Sequence, residues 1–333
     1  MKLLLSHSNY SNIIGGVEVY AKYLKKVFSD LQIISYESLK NELGDSILPL
    51  FKEPQRARLL GKYVKKRFPN AEMVITNGMF SWNLEKIPQI NVCHGTYKGF
   101  AQAAVSKTNI DFYRLSFVYN YFEKKAAHNA LKVVSNSIQT QRLVKNFFEL
   151  DSEIIYPPID TKIFKPMNKE KASQELGWSD INVLFVGRPE KAKGFHLVEE
   201  LAKLNTKINF RCVLSRPYQS NLKKLFTYGP IEHNQLPLYY NAADLILFPS
   251  LFEGFGIVAA EALACNKKVL SFETGFLTEP GFEKVIKSKP EINKLQEDFL
   301  LALSQQEYKL REKIKKKFDI KSFKKRWLGV VKK

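Results

Sequence analysis

Two glutamates with seven residues between them, Glu253 and Glu261, stand in the stretch Phe248-Pro249-Ser250-Leu251-Phe252-Glu253-Gly254-Phe255-Gly256-Ile257-Val258-Ala259-Ala260-Glu261-Ala262. An apolar run, Asp244–Phe248, leads into a proline and a glycine-containing turn, and a helical pattern follows. That order exposes a helix N-terminus beside Gly254 and Gly256. Backbone N–H groups and the positive end of the helix dipole gather there, and such a place binds phosphate or sugar oxygens. Glu253 falls in the turn. Glu261 falls about two turns into the helix, on the side that can still face a ligand. An ionised carboxylate accepts hydrogen bonds from two hydroxyls of a ribose or hexose. The same residues also fit an ordinary strand–turn–helix with two surface glutamates.

Two further places could serve such chemistry. Val186-Gly187-Arg188 reads as a strand end, followed by Lys193-Gly194. Fixed cations stabilise the negative charge that grows on a departing phosphate, Arg as a fork of donors and Lys as a point charge. In a chain with 52 Lys and Arg, this pair also fits a solvated face. Ile90-Asn91-Val92-Cys93-His94-Gly95 reads as a buried strand ending in His-Gly. His7 ends the first apolar run and is a weaker candidate. His128, His196 and His233 fall on expected helices and read as structural.

The elements that must position these residues alternate along the whole chain. Strands are expected at Lys2–Ser6, Gln32–Ser35, Glu72–Thr76, Ile90–Cys93, Lys132–Ser135 and Glu153–Tyr156. Amphipathic helices are expected at Val17–Leu31, Lys52–Phe68, Lys107–Ala130 and Ser137–Phe148. Tyr156-Pro157-Pro158-Ile159-Asp160 breaks the pattern, because consecutive prolines force an extended path, and the domain hinge is placed there. The alternation then restarts, with strands at Asn182–Gly187, Ile208–Leu214, Leu225–Tyr228, Asp244–Pro249 and Lys268–Ser271, and helices at Gly194–Leu204, Glu232–Asn241 and Gly256–Cys265. Strands alternating with helices imply α/β domains built on parallel sheets. Ligands bind beyond the carboxyl ends of such strands, so two domains face to face would enclose a cleft.

At this point the sequence resembles a known family. The two glutamates, preceded by Pro249-Ser250 and enclosing Glu253-Gly254-Phe255-Gly256, resemble the signature of glycosyltransferase family four, the glycosyl transferases group one. Asn12-Ile13-Ile14-Gly15-Gly16-Val17-Glu18 resembles the glycine pair that opens the family's first helix. Val133-Val134-Ser135-Asn136-Ser137 resembles a strand end, and Ile155–Asp160 with Phe164 resembles the domain linker. The resemblance implies a GT-B fold: two Rossmann-like, doubly wound parallel-sheet domains facing a central cleft. They would be an acceptor domain over residues 1–157 and a nucleotide-sugar domain over 158–316, with 317–333 a helix crossing back to the first. It further implies a retaining transfer of a sugar from a nucleotide-diphosphate donor to a hydroxyl of a glycan or glycolipid, in cell-surface polysaccharide or lipopolysaccharide synthesis.

Roles follow from the same resemblance. Arg188 and Lys193 would hold the diphosphate, and Glu261 the ribose. Glu253 and His94 would sit at the transferred sugar. Backbone groups around Gly254, Phe255, Gly256, Ile257 and Val258 would meet sugar and phosphate. Gly15 and Gly16 would let the first loop approach the phosphate closely. No Asp-x-Asp pair stands in a suitable loop, so neither metal nor cofactor is expected beyond a donor of UDP or GDP type. Two departures bear on base and sugar preference. Ser215-Arg216-Pro217 replaces a frequent Gly-x-Gly turn, and Thr274–Glu279 carries one glycine where relatives often have two.

Composition bounds the remaining readings. The chain has 333 residues, 45% hydrophobic and 26% charged, which fits about two globular domains and excludes a disordered chain or a disulfide miniprotein. Cys93, Cys212 and Cys265 lack any CxxC spacing and read as reduced thiols of a cytosolic protein. The start, Met1–His7, has too few apolar residues for a signal peptide, and no stretch is long enough to span a membrane. The net charge of +19 draws the chain to polyanions. Arg56–Phe68 and Tyr119–Lys125 interleave basic and aromatic residues, which suggests peripheral contact with an anionic membrane on its cytoplasmic face. The final fifty residues carry 16 Lys and Arg against 6 Asp and Glu. Two other readings compete: a non-catalytic polyanion binder, although no specific nucleic-acid motif is present, and a GT-B nucleotide-sugar epimerase.

Overall fold

The computed structural model describes residues 2–6, 15–44, 48–85, 87–306 and 309–332. The chain divides into two compact units, residues 1–157 with 321–333, and residues 158–320. Among the described residues each unit holds one six-stranded sheet with every pairing parallel. Parallel neighbours need long crossovers, and here helices supply them.

In the first unit the order along the chain is β1 (Lys2–Ser6), α1 (Gly16–Val27), β2 (Leu31–Ser35), α2 (Tyr36–Leu43), α3 (Lys52–Arg67), β3 (Met73–Asn77), β4 (Gln89–Cys93), α4 (Tyr97–Ala104), α5 (Ile110–Tyr113), a π-helix (Arg114–Tyr119), α6 (Asn120–His128), β5 (Lys132–Ser135), α7 (Ile138–Phe148) and β6 (Glu153–Ile154). The sheet runs β2-β1-β3-β4-β5-β6. Leu4 lies between Ile33 and Ile75 in register. Leu3 and Leu5 meet Leu60, Val64, Val74 and Met79 in a dry core.

The second unit holds α8 (Lys169–Glu175), β7 (Asn182–Gly187), α9 (Phe195–Leu204), β8 (Asn209–Leu214), β9 (Leu225–Tyr228), α10 (Leu236–Ala242), β10 (Leu245–Phe248), α11 (Ile257–Ala264), β11 (Val269–Phe272), β12 (Ile286–Ser288), α12 (Ile292–Ser304) and α13 (Arg311–Lys317). Its sheet runs β12-β11-β10-β7-β8-β9. Val183, Phe185, Phe210, Val198, Leu201 and Phe299 form its centre.

Several elements differ from those read in the sequence. The first helix stops at Val27, where Phe28 N–H bonds back to Leu24, and Leu31 already opens β2. The long helix expected at Lys107–Ala130 is three pieces with a π-turn inside. α2 and α4 were not anticipated, although each begins at a side-chain cap: Ser35 accepts from Ser38 N–H, and Thr96 accepts from Gly99 N–H. α10 begins at Leu236 with Pro237 in its first turn, so His233 lies in the preceding turn and not on a helix.

The last helix, α14 (Ile320–Lys332), buries Phe323, Trp327 and Val330. Trp327 Nε1–H donates to the Tyr20 hydroxyl at 3.1 Å, and Tyr20 donates to Ile155 O at 3.4 Å. Residues 321–333 therefore complete the first unit. Residues 317–320 remain with the second, where Lys317 pairs with Glu279 at 2.6 Å and Phe318 packs on Phe255 and Phe276. Phe323, Trp327 and Val330 of α14 are core, and so are Leu60 and Val64 of α3. Trp327→Ala is expected to destabilise the first unit by about 3–5 kcal/mol, read from urea unfolding, because no smaller side chain fills the site. Among the described residues no helix is long and apolar enough to cross a membrane.

Glu123 of α6 is buried, and its carboxylate accepts from Tyr97 N–H at 2.8 Å. Burial pushes its pKa up to about 8. Between its unfolded value near 4.5 and pH 8, the folded chain holds a proton that the unfolded chain has released. Stability from this group is therefore full below about pH 4.5 and is lost as pH rises through 8. Glu123→Gln is expected to leave the melting temperature little changed near pH 5 and to raise it above pH 8, by on the order of 2–4 kcal/mol of stability. Equal shifts at both pH values would contradict this.

Candidate functional site

Three loops at the carboxyl ends of neighbouring strands β11, β10 and β7 come together in the second unit. After β7 the chain passes Arg188 and a short turn, Lys191–Lys193, to reach Gly194. Gly194 has φ +72°, and a Cβ there would lie 2.0 Å from Pro249 O. Only glycine fits. The contact seats the β7 loop on the β10 loop, and Leu251 N–H fastens it by donating to Ala192 O at 2.9 Å. On the other side, Gly275 (φ +59°) brings the β11 loop so close that a Cβ would lie 2.1 Å from Phe255 O. Glu253 N–H donates to Thr274 Oγ1 at 2.7 Å.

Across this junction Lys193 Nζ meets Glu253 Oε1 at 2.6 Å, with both side chains mostly buried. Arg188 is exposed at the end of β7, its Nε 3.5 Å from Glu190. Gly256, at φ +94°, caps α11 without any side-chain hydrogen bond. The first intrahelical bond of α11 runs from Ala260 N–H to Gly256 O. The amides of Ile257, Val258 and Ala259 therefore have no acceptor within their own helix. These amides, the helix dipole and Lys193 make a local field suited to an anion. The ring of Phe255 packs on Phe276 and Phe318, so this residue contributes backbone, not its side chain, to the turn.

Glu261 lies one helical stretch deeper and is 2% exposed. It is not a surface glutamate. Oε1 accepts from His233 Nε2–H at 2.6 Å, and Oε2 accepts from the buried Tyr240 hydroxyl at 3.1 Å. Burial and the neighbouring carboxylate raise the Tyr240 pKa well above its ordinary value, so the phenol keeps its proton and donates. The His233 ring rests against Phe164 at 5.1 Å. The helical placement expected for His233 is thus corrected: it sits in a turn and hydrogen-bonds the second glutamate. His128 bonds to Phe148 O at 2.8 Å, and His196 lies on α9.

The remaining candidates belong to the first unit. His94 follows β4, and its Nε2 lies 3.0 Å from Asn77 Oδ1, at the end of the neighbouring β3. The Tyr20 ring meets it edge-on at 4.9 Å. Burial holds the His94 pKa down to about 4, so the ring is neutral near pH 7. It can exchange hydrogen bonds but carries no charge. Gly15 precedes α1 in extended backbone, and Gly16 begins that helix. His7 and Asn12–Ile14 lie outside the described residues. The structure therefore gathers Lys193, Glu253, Gly254–Val258 and Glu261 in one unit, beside Arg188 at the end of β7. It gathers His94 with α1 in the other.

Residues 167–318 match the family described as glycosyl transferases group 1. The chain is 27% identical over 183 residues to a D-inositol 3-phosphate glycosyltransferase of Pseudarthrobacter chlorophenolicus, an alignment covering 48% of this chain and 44% of that protein. The chain thus spans under half the length of that curated relative. A sucrose-phosphate synthase from Thermosynechococcus elongatus superposes with a TM-score of 0.80 at 18% identity, over 99% of this chain and 98% of the other. Anabaena HepE, solved in complex with UDP-glucose, superposes with a TM-score of 0.72 at 16% identity, over 99% of both chains. The fold is GT-B, and the second unit of this chain matches the glycosyl transferases group 1 family.

Proposed function

We propose that the chain is a retaining glycosyltransferase moving a sugar from a nucleotide-diphosphate donor to a hydroxyl of a glycan or lipid-linked acceptor in surface polysaccharide or lipopolysaccharide synthesis. The observation that carries this reading is the Lys193–Glu253 contact at the open N-terminus of α11, with Glu261 held ready by two donors. In this reading Lys193, Arg188 and the amides of Gly254–Val258 receive the diphosphate. Glu261 accepts the ribose hydroxyls, and His233 and Tyr240 set its orientation. Glu253, with Lys193 on one oxygen, faces the sugar. The UDP-glucose complex of Anabaena HepE supports a donor of the same class here.

The chemistry needs no protein nucleophile. The bond between the anomeric carbon and the phosphate oxygen breaks, and charge grows on the nucleoside diphosphate. Cations and amides fixed in advance around that oxygen stabilise it more than they stabilise the intact donor. The acceptor oxygen attacks from the same face, and its proton passes to the departing phosphate. A neutral His94 suits a hydrogen bond to a sugar hydroxyl, and Gly15 and Gly16 suit close approach by the first loop. The enzyme is expected to work at the cytoplasmic side of a membrane.

The test is a panel of UDP- and GDP-sugars incubated with the protein and glycan or glycolipid acceptors, followed by nucleotide release and by the anomeric configuration of the product. Release of one nucleoside diphosphate with retained configuration supports the proposal. Conversion of the sugar while it remains on the nucleotide would instead show an epimerase. Absence of any turnover, with tight heparin and DNA binding, would favour the polyanion binder.

A further inference from the structure

The carboxyl ends of β3 and β4 fix more than the place of His94. Asn77 closes β3, and in register it faces Val92, two residues before His94. Asn77 Oδ1 lies 3.0 Å from His94 Nε2. An amide oxygen only accepts, so the imidazole donates at Nε2. The ring is neutral near pH 7 and holds a single proton. Nδ1 therefore carries a lone pair and no proton. The backbone on both sides of Asn77 is pinned to β4. Buried Asn91 donates from Nδ2 to Gly78 O at 2.6 Å and to Thr76 Oγ1 at 3.2 Å. Thr76 in turn donates to Ser81 Oγ at 2.9 Å. The chain after His94 is fixed within three residues: Thr96 caps α4, and Tyr97 N–H donates to Glu123 at 2.8 Å.

The His94 ring has a second support. Tyr20 of α1 meets it edge-on at 4.9 Å. The Tyr20 hydroxyl donates to Ile155 O and accepts from Trp327 Nε1–H, and Phe323 packs on its ring at 5.2 Å. Tyr20 therefore cannot swing away without disturbing the core of the first unit. Asn77 and His94 themselves are partly exposed, unlike Thr76, Ser81 and Asn91 behind them. They stand at the strand ends, where ligands of parallel sheets bind. The group that bonds one ring nitrogen of a neutral histidine decides what the other nitrogen can do. An amide, not a carboxylate, stands there. A carboxylate would favour the doubly protonated ring, which has two donors and no acceptor. The amide selects one tautomer and leaves the ring uncharged.

We propose that Asn77 is a positioning residue that holds the proton of His94 on Nε2, so that His94 Nδ1 accepts a hydrogen bond from a hydroxyl of the transferred sugar. The sugar contact rests on the transferase reading; the place of the proton does not. A bare Nδ1 selects a sugar that offers a hydroxyl there over one with a hydrogen, a fluorine or a carboxylate at the same position. Two measurements test the two halves separately. The first is nitrogen-15 NMR of the full, unliganded chain with labelled histidines, the His94 signals being those missing from His94→Gln. A protonated Nε2, an unprotonated Nδ1 and an Nε2 proton protected from exchange with water are expected. Asn77→Ala is expected to lose that protection, and Asn77→Asp, which restores an acceptor, to regain it. A proton on Nδ1 in the wild type, or equal protection in Asn77→Ala, overturns the proposal whatever the protein catalyses. The second is turnover of the UDP- or GDP-sugar that the protein uses, with single sugar hydroxyls replaced by fluorine, which cannot donate. One replacement is expected to lower kcat/KM about tenfold or more in the wild type, and by less than about threefold in Asn77→Ala. Equal turnover of every fluorinated donor overturns the sugar contact. No turnover of any donor overturns the transferase reading and the sugar contact with it, and the spectra still decide the place of the proton.

Discussion

Gly194→Ala is expected to destabilise the second unit by about 3 kcal/mol or more and to abolish nucleotide binding. The argument has two independent parts. The residue sits at φ +72°, in the left-handed region that costs an alanine about 1 kcal/mol or more. Its new Cβ would also stand 2.0 Å from Pro249 O, a backbone atom that cannot rotate away. Relief requires the β7 and β10 loops to part, which breaks the Leu251 N–H to Ala192 O bond and draws Lys193 away from Glu253. Urea unfolding and nucleotide titration check both consequences. A variant within about 1 kcal/mol of wild type, binding nucleotide normally, would mean that the seam between the loops is not rigid.

The second large effect lies at Glu261. Glu261→Ala removes the acceptor of two donors, the partly exposed His233 imidazole and the buried Tyr240 hydroxyl. The orphaned Tyr240 donor costs about 1–3 kcal/mol, so the variant is expected to lose about that much stability together with its nucleotide affinity. Glu261→Gln separates the two losses. The amide keeps the shape, so most of the stability is expected to remain. It has one oxygen where the carboxylate has two, and its NH2 faces a group that itself donates, so affinity for a ribose-bearing ligand is expected to fall about tenfold or more. A glutamine variant that binds nucleotide like wild type would remove Glu261 from the ribose site.

The fold was legible where an apolar run is buried on both faces and bounded by turn residues. Lys2–Ser6 and Asn182–Gly187 were read to the residue, because a central parallel strand shows as an uninterrupted apolar or β-branched run. β12 was missed because three residues at a sheet edge carry no pattern of their own. Helix starts were blurred where the signal is a single cap, as at Ser35 and Thr96, or a proline inside the first turn, as at Pro237.

Within the site, the glutamate pair and the Arg188–Lys193 segment stood out through local spacing. His233 did not. Its contact with Glu261 spans 28 residues of sequence and exists only after β10 and α11 are in place. The side of α5 and α6 that meets the core was hidden for a different reason. That segment has apolar residues on two sides, and periodicity alone does not say which side meets the core. Packing of Leu115, Tyr119, Ala126 and Ala127 settles it.

Calorimetric titration of UDP and of GDP into the wild-type protein and Lys193→Ala addresses the central claim, that the loops after β7, β10 and β11 hold a nucleoside diphosphate. The expected result is one-site binding of one of the two nucleotides, weakened about tenfold or more by loss of the ammonium group. No binding of either nucleotide, or the same affinity in both proteins, would contradict it.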